Sequence, residues 1–443
     1  MRPLIMTRAS AKTLVGLLGL AGLIYVAVTF HYANFASALS DPKSTDFYKF
    51  HLSAADARTG LSPYWPAPYQ TIRHAHCQPA LESGVPIFAA PLDPTLRIGE
   101  RQCLHPNLNP PFFVAITLPL AKLEFPTALS IWIGMLLGVG IGTFVLAIRA
   151  IAPKQISWRS SWPLLVLLCL VFLLAHPVFA NFQLGQIGTV VALGLVWCWG
   201  QMRRGRAISA GLGLGVLMGL KPFLGLFFIG LLLIRQWRAA LACTAAGLCT
   251  VAIGILIFGP AVSLDYLKAL QEVRWHTNNW NASLMNPIFQ IFGPTRGLPM
   301  FDLPSLGRLL GYGAAFSAIG LWAFFIVHFA RRRSDLDKTD ALFMTAPAVA
   351  LLASPLGWMY YLPALLIPLL VILCWRPRVA PYRLQVLGLA LVIGLIIIHT
   401  PLYGVLQVPT ALADWLEIHR FLLATLLLLG LSIWHLVQRG QES

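Results

Sequence analysis

Apolar runs of about 15 to 22 residues recur along this chain, each bounded by a short polar or basic stretch. Helices of that length and composition cross bilayers. The pattern predicts a first span from Thr13 to Phe30 and a full span over Thr127–Ile148. Further spans follow at Pro163–Ala180, Ile187–Met202, Ala207–Leu220, Phe223–Ile234, Ala239–Phe258, Leu309–Ala330, Ala341–Ala353, Tyr361–Trp375, Leu384–His399 and Phe421–Val437. That is about twelve spans, several of them short enough to be broken or partly inserted. Phe112 to Leu123 is apolar but short, and Pro119 interrupts it, so it reads as an interfacial or partly inserted helix. The fold class expected is an all-α polytopic membrane protein. With no linker tract or internal repeat, residues 1–443 form one membrane domain carrying two large polar loops, 31–111 and 259–308.

Composition sharpens this picture. Hydrophobic residues make up 58% of the chain and charged residues 11%, with a mean hydropathy of +0.73, which excludes an ordinary soluble domain. The formal charge of +16 would suit nucleic acid. However, the cations sit in short clusters between spans rather than in a stripe, so no nucleic-acid partner is expected. Arg149/Lys154/Arg159, Arg203–Arg206, Arg235/Arg238, Arg331–Arg333, Arg376/Arg378/Arg383 and Arg439 all fall on the same side as the N-terminus. The positive-inside rule then places both termini in the cytoplasm of a multi-pass protein of the inner membrane. Ala36-Ser-Ala38 resembles a cleavage site after the first run, but the many later spans favour an uncleaved anchor. Cys77 and Cys103 share the exported first loop, where a disulfide is plausible but its geometry stays open.

The unusual polar residues gather on the outer face. Ser44–His51 follows the first span and holds Asp46, which reads either as a helix-capping loop acid or as a general base for an acceptor hydroxyl. Asp41, Asp56 and Asp93 compete with it in the same loop. Tyr48 and Tyr64 lie nearby. Asn107 and Asn109, before the Pro110-Pro111 pair, suit sugar hydroxyls or a turn. The turn Asn181-Phe-Gln-Leu-Gly-Gln-Ile-Gly188 brings Gln183 and Gln186 into an apolar setting, where amides need a partner or a cavity. Lys221-Pro222 sets a lone cation on the face where cations are disfavoured; it either snorkels or holds a lipid phosphate. Arg274, His276 and Asn281 belong to a segment interleaving cations, amides and indoles, which suits a phosphate beside a sugar or a Trp belt at the interface. Ser354-Pro-Leu-Gly-Trp-Met-Tyr-Tyr361 adds Trp358, Tyr360 and Tyr361 to the same side. No Walker loop, dinucleotide fingerprint or metal-ligand cluster is present, so no cofactor or metal is expected. Asp335-Leu-Asp337, beside Arg331–Arg333 on the inner side, reads as a solvated loop.

In order, Asp46-Phe-Tyr48, Gly60, Pro63-Tyr64, Asn109-Pro-Pro111, Pro119-Leu120, Asn181…Gly185-Gln186, Lys221-Pro222, Asn281-Ala-Ser283-Leu284 and Ser354-Pro355…Trp358 resemble the landmarks of the polyprenol-phosphate-sugar-dependent glycosyltransferases of family 87. The resemblance implies a GT-C-type membrane fold, a polyprenyl-phosphate sugar donor, and Asp46 as catalytic base of the first outer loop. The family often carries a His shortly after the Trp of its Ser-Pro…Trp motif. Here Tyr360 and Tyr361 stand in that place, so no role of that His is carried over.

The function expected is inverting transfer of a hexose, mannose through the resemblance, from a polyprenyl monophosphate to a lipid or glycan acceptor. Lys221 and Arg274 would hold the donor phosphate. Tyr48, Tyr64, Asn107, Asn109, Gln183, Gln186, His276, Asn281, Trp358, Tyr360 and Tyr361 would line the substrate site. Two rivals are a flippase of lipid-linked sugars and a ligase or polymerase using a diphosphate-linked donor. A flippase needs ionisable groups along a path through the bilayer, and the predicted spans are nearly uncharged. Arg73, Arg97 and Arg101 keep the ligase in play.

Overall fold

A computed structural model describes residues 45–64, 107–151, 158–271, 277, 280–293, 300–331, 333–374, 382–397 and 410–442, with scattered helical positions between 16 and 40. The first predicted span is described only at 16–22, 24, 25, 28 and 29, while Cys77, Cys103, Arg73, Arg97, Arg101, Arg274 and His276 lie outside the described residues, as do Asp41 and Asp93. Among the described residues all regular structure is helical, apart from one isolated antiparallel bridge between Asn281 and Trp358.

The first loop carries α1 (Asp46–Arg58), which packs on α2 (Pro111–Thr117) and on the 3-10 turn Leu120–Lys122. Phe112–Leu123 is therefore a short helix and a turn, as its length and Pro119 predict. Next come α3 (Phe125–Ile151), α4 (Trp158–Leu174), α5 (His176–Leu184), α6 (Gly188–Arg203) and α7 (Ala207–Leu220). After the turn Pro222–Leu224 follow α8 (Gly225–Leu233), α9 (Trp237–Phe258), α10 (Pro260–Gln271), α11 (Met285–Phe292), α12 (Pro304–Ala330) and α13 (Asp335–Ala353). The chain then runs through the turn Met359–Leu365 into α14 (Leu366–Cys374), α15 (Tyr382–Ile397) and α16 (Thr410–Glu442).

Among the described residues four helices are long and apolar enough to cross a membrane: α3, α9, α12 and the Trp415–Arg439 part of α16. The predicted span Pro163–Ala180 is instead split into α4 and α5, bent by 61° at the break. Pro177 explains the bend. It has no N–H to give the carbonyl four residues back, and its ring crowds the turn before it. Together α4 and α5 make a fifth candidate crossing, and the predicted spans at Ala207–Leu220, Phe223–Ile234, Tyr361–Trp375 and Leu384–His399 fall on shorter apolar helices. The chain is an integral membrane protein.

Close helix contact is set by small residues, since lipid gives helices little hydrophobic reason to associate. Gly211, Gly215 and Gly219 form one stripe on α7. A Cβ there would fall 2.1 Å from Ala239 O, 2.3 Å from Cys243 O and 2.2 Å from Thr250 Oγ1, so α7 and α9 meet backbone to backbone.

The packing sorts the ends of the bundle. Helix α6 starts at Gly188 beside Tyr360 and ends at Arg203 beside Asp340. Helix α13 runs the other way, from Asp340 towards Ser354. Arg439, at the far end of α16, also reaches Asp340. The Arg203 and Arg439 clusters thus share one end, and the Asn181, Lys221 and Trp358 turns lie at the other.

Asp335-Leu-Asp337 is solvent-facing, as expected, but forms the first turn of α13 rather than a loop. Ser334 caps α13 by accepting from the Asp337 N–H at 3.2 Å, and Asp337 pairs with Arg439 at 3.4 Å. A Ser followed three residues later by an acid is a helix-start signature. The acid that matters is one turn further on: Asp340 is fully buried and accepts from Trp199 Nε1 at 2.9 Å and from Arg439 Nη1 at 3.0 Å.

Candidate active site

Asp46 is the first residue of α1, but it does not cap the helix. Thr45 does, accepting from the Tyr48 N–H at 3.2 Å. The Asp46 carboxylate, at the positive end of the helix, is left for other partners. Oδ1 pairs with the Lys49 ammonium one turn along, and Oδ2 accepts from Gln186 Nε2 at 2.5 Å. Asp56, a competitor by sequence, is buried further along α1.

Gln186 is held by the end of α5. Gly185 adopts φ +68°, and the Gln186 N–H donates to Asn181 O at 2.9 Å, a left-handed helix stop. Trp132 Nε1 donates to Gly185 O at 2.8 Å, and the Trp132 ring stacks on Phe47 at 5.2 Å. A side chain at Gly185 would bring a Cβ within 2.6 Å of Phe47 Cβ. Helix α1 is thereby seated directly over the turn, with Asp46 against Gln186.

Lys221 ends α7 on the same side. Its ammonium donates to Asn109 Oδ1 at 2.5 Å and lies 4.9 Å from the centre of the Tyr361 ring. Burial pulls this amine down to about 7, opposed by the negative charge of Asp46. The Asp46 charge also reaches Tyr360 and Tyr361. Asp46 thus acts electrostatically on Lys221 while bonding Lys49 and Gln186 directly.

The amides divide into framework and site. Asn107 Oδ1 accepts from the Asn109 N–H at 3.0 Å and from Asn109 Nδ2 at 2.8 Å, making the turn that aims Asn109 at Lys221. Tyr64 is buried and spends its hydroxyl on Asn109 O at 2.7 Å. Asn181 ties α5 to the turn at 359–365, donating to Tyr360 O at 2.8 Å while accepting from the Gly188 N–H at 2.6 Å. Asn281 links its own loop to the Ser354 turn, donating to Pro355 O at 3.0 Å. Tyr48 packs edge-on against Phe125 at 5.3 Å. Gln183 is exposed on α5 and apart from this cluster. Sequence reasoning passed over Lys49 and Trp132; an i, i+3 Asp–Lys pair in a helix is a signal that could have found the first.

Asn107 Nδ2, Trp358 Nε1 and Gln186 Oε1 are buried with no hydrogen-bond partner among the described residues. Buried groups of this kind cost stability unless something else satisfies them. Next to Lys221 and Asn109 opens an apolar groove of about 480 Å³, whose walls include Pro110, Pro111, Met218, Pro222, Thr250 and Tyr266. Among the described residues no group of three or more His, Cys, Asp or Glu is placed to hold a metal ion.

The chain is similar to the polyprenol-phosphate-mannose-dependent alpha-(1-2)-phosphatidylinositol mannoside mannosyltransferase of Mycobacterium tuberculosis. The two are 25% identical over 307 residues, covering 65% of this chain and 67% of that protein. No solved structure matches it. The family match begins at Asn107, so Asp46 joins the matched region through packing rather than through the alignment. Residues 107–355, more than half of the chain, match the model of glycosyltransferase family 87, and the chain is a glycosyltransferase belonging to that family.

Proposed function

We propose that this enzyme transfers a hexose, with inversion, from a polyprenyl monophosphate to a hydroxyl of a lipid or glycan acceptor at the extracytoplasmic face. Mannose is the sugar favoured, because the mycobacterial relative is named for a polyprenol-phosphate-mannose donor and a phosphatidylinositol mannoside acceptor. The acceptor oxygen attacks the anomeric carbon as its bond to the phosphate oxygen breaks, through an oxocarbenium-like state. Asp46 takes the hydroxyl proton. The polyprenyl phosphate leaves with its charge held by Lys221, and the first isoprene units lie in the apolar groove beside it.

The single observation supporting this reading is that the Asp46 charge reaches the buried Lys221 ammonium, whose chain neighbour Pro222 lines an apolar groove. Charge supports the extracytoplasmic face: the Arg203 and Arg439 clusters occupy the opposite end of the bundle, and basic clusters favour the cytoplasmic side. The test is to give purified protein radiolabelled polyprenyl-phosphate mannose and mannosyl lipid or octyl α-mannoside. Label in the acceptor is the expected result. Donor that crosses vesicles unreacted would instead mark a flippase.

A further inference from the structure

Gln186 is chemically divided. A carboxylate paired with an ammonium can only accept, so the face of the amide against Asp46 must be the nitrogen. That fixes the side-chain orientation and turns Oε1 away from Asp46, where it is buried and without a partner. The residue is 4% exposed, and its backbone is pinned by Asn181 and by the Trp132 contact to Gly185. A rigid, buried acceptor beside the candidate base, with no partner among the described residues, is matched by a hydroxyl donor from outside.

We propose that Gln186 is a positioning residue joining the base to the acceptor: its N–H holds the Asp46 carboxylate, while its carbonyl oxygen accepts a hydroxyl of the acceptor sugar next to the one that reacts. The proposal rests on the glycosyl-transfer reading above and deepens it. The ligand class is a polyol with adjacent hydroxyls. An acceptor lacking the second hydroxyl leaves Oε1 buried and unsatisfied, which costs more than a lost surface contact.

Replacing Gln186 by Leu deletes both its bond to Asp46 and its acceptor oxygen while keeping an apolar side chain of similar size. Gln186→Ala removes the same two groups in a smaller side chain.

The test measures transfer from polyprenyl-phosphate mannose to octyl α-mannoside and to its monodeoxy analogues, for the wild type and both variants. We expect kcat to fall about tenfold to a hundredfold in Gln186→Leu, with donor KM little changed. One monodeoxy analogue should be poor for the wild type yet no worse than the parent sugar for Gln186→Leu. Folded variants that keep the wild-type ranking of analogues would overturn the proposal. Should Gln186→Leu not fold, Gln186→Ala decides by the same ranking. No transfer by the wild type would instead overturn the glycosyl-transfer reading, and this proposal with it.

Discussion

Lys221 donates its ammonium to the Asn109 side chain at 2.5 Å, inside the fold and against the Tyr361 ring. One N–H of three is accounted for by that bond, so the cation is anchored rather than spent. Replacing Lys221 by Met should weaken donor binding by about tenfold to a hundredfold, the range for a lost hydrogen bond to a charged group. Equilibrium binding of a fluorescent polyprenyl-phosphate sugar checks it, and unchanged affinity would place the phosphate elsewhere.

The same lysine makes donor binding sensitive to pH. Burial lowers its pKa to about 7 in the empty site. A bound phosphodiester favours the ammonium and raises that pKa, so binding above pH 7 takes up a proton. Affinity should therefore be level below pH 7 and fall by about tenfold per pH unit above it, until the bound lysine also titrates. The donor phosphodiester keeps one charge across this range and adds no slope. In Lys221→Met the slope should vanish, which titration calorimetry at several pH values would read.

For Asp46, the expectation separates chemistry from binding. Asp46→Asn keeps the size and still reaches Gln186, but cannot take a proton. Turnover should drop by about a hundredfold or more with donor affinity preserved. Loss of the Lys49 partner argues for checking the fold of this variant by thermal melting, since the pair joins the first turn of α1. Near-normal turnover in a folded Asp46→Asn protein would move the base to another residue.

What could be read from the chain, and what could not, follows from the range of each signal. Span-length apolar runs and basic clusters are local, and they gave the membrane class and the sharing of one end by Arg203 and Arg439. Asp46 and Lys221 stood out because charges are rare in such a chain. Gln183 and Gln186 looked equivalent, yet the left-handed Gly185 turns one into the interior and leaves the other exposed on α5. Asp340 was invisible because its partners, Trp199 and Arg439, come from distant helices. The bend at Pro177 was legible in principle: a proline inside an apolar run is a break signal, and the long run outweighed it.

Gly188 illustrates a constraint that no local pattern reveals. Its backbone N–H donates to Asn181 Oδ1, and a Cβ would sit 1.6 Å from Tyr360 O, the carbonyl that Asn181 also bonds. Gly188→Ala must therefore push the 359–365 turn away from α5 and break the Asn181 bridge. A destabilisation of about 3 kcal/mol is expected, the upper part of the usual range for overpacking. Thermal melting in detergent would show it, along with lost transfer, since that turn carries Tyr361 beneath Lys221.

At the opposite end, the burial of Asp340 sets it apart from its neighbour. Asp340 is fully buried with Trp199 and Arg439 as donors and Arg203 3.7 Å away, whereas the Asp337–Arg439 pair is partly exposed. Asp340→Ala leaves the buried Trp199 Nε1 without its acceptor and removes the bond to Arg439, so it should cost about 1 to 3 kcal/mol. Asp337→Ala removes a pair that water already screens, and should cost less than about 1 kcal/mol. Both acids lie far from Asp46, because α6 runs its full length between Gly188 and Arg203. Melting curves should therefore separate the two variants, while the folded fraction of each transfers sugar at the wild-type rate. Equal melting temperatures would mean that Arg203 and Arg439 find other partners, and that the Asp340 cluster does not tie α6, α13 and α16 together.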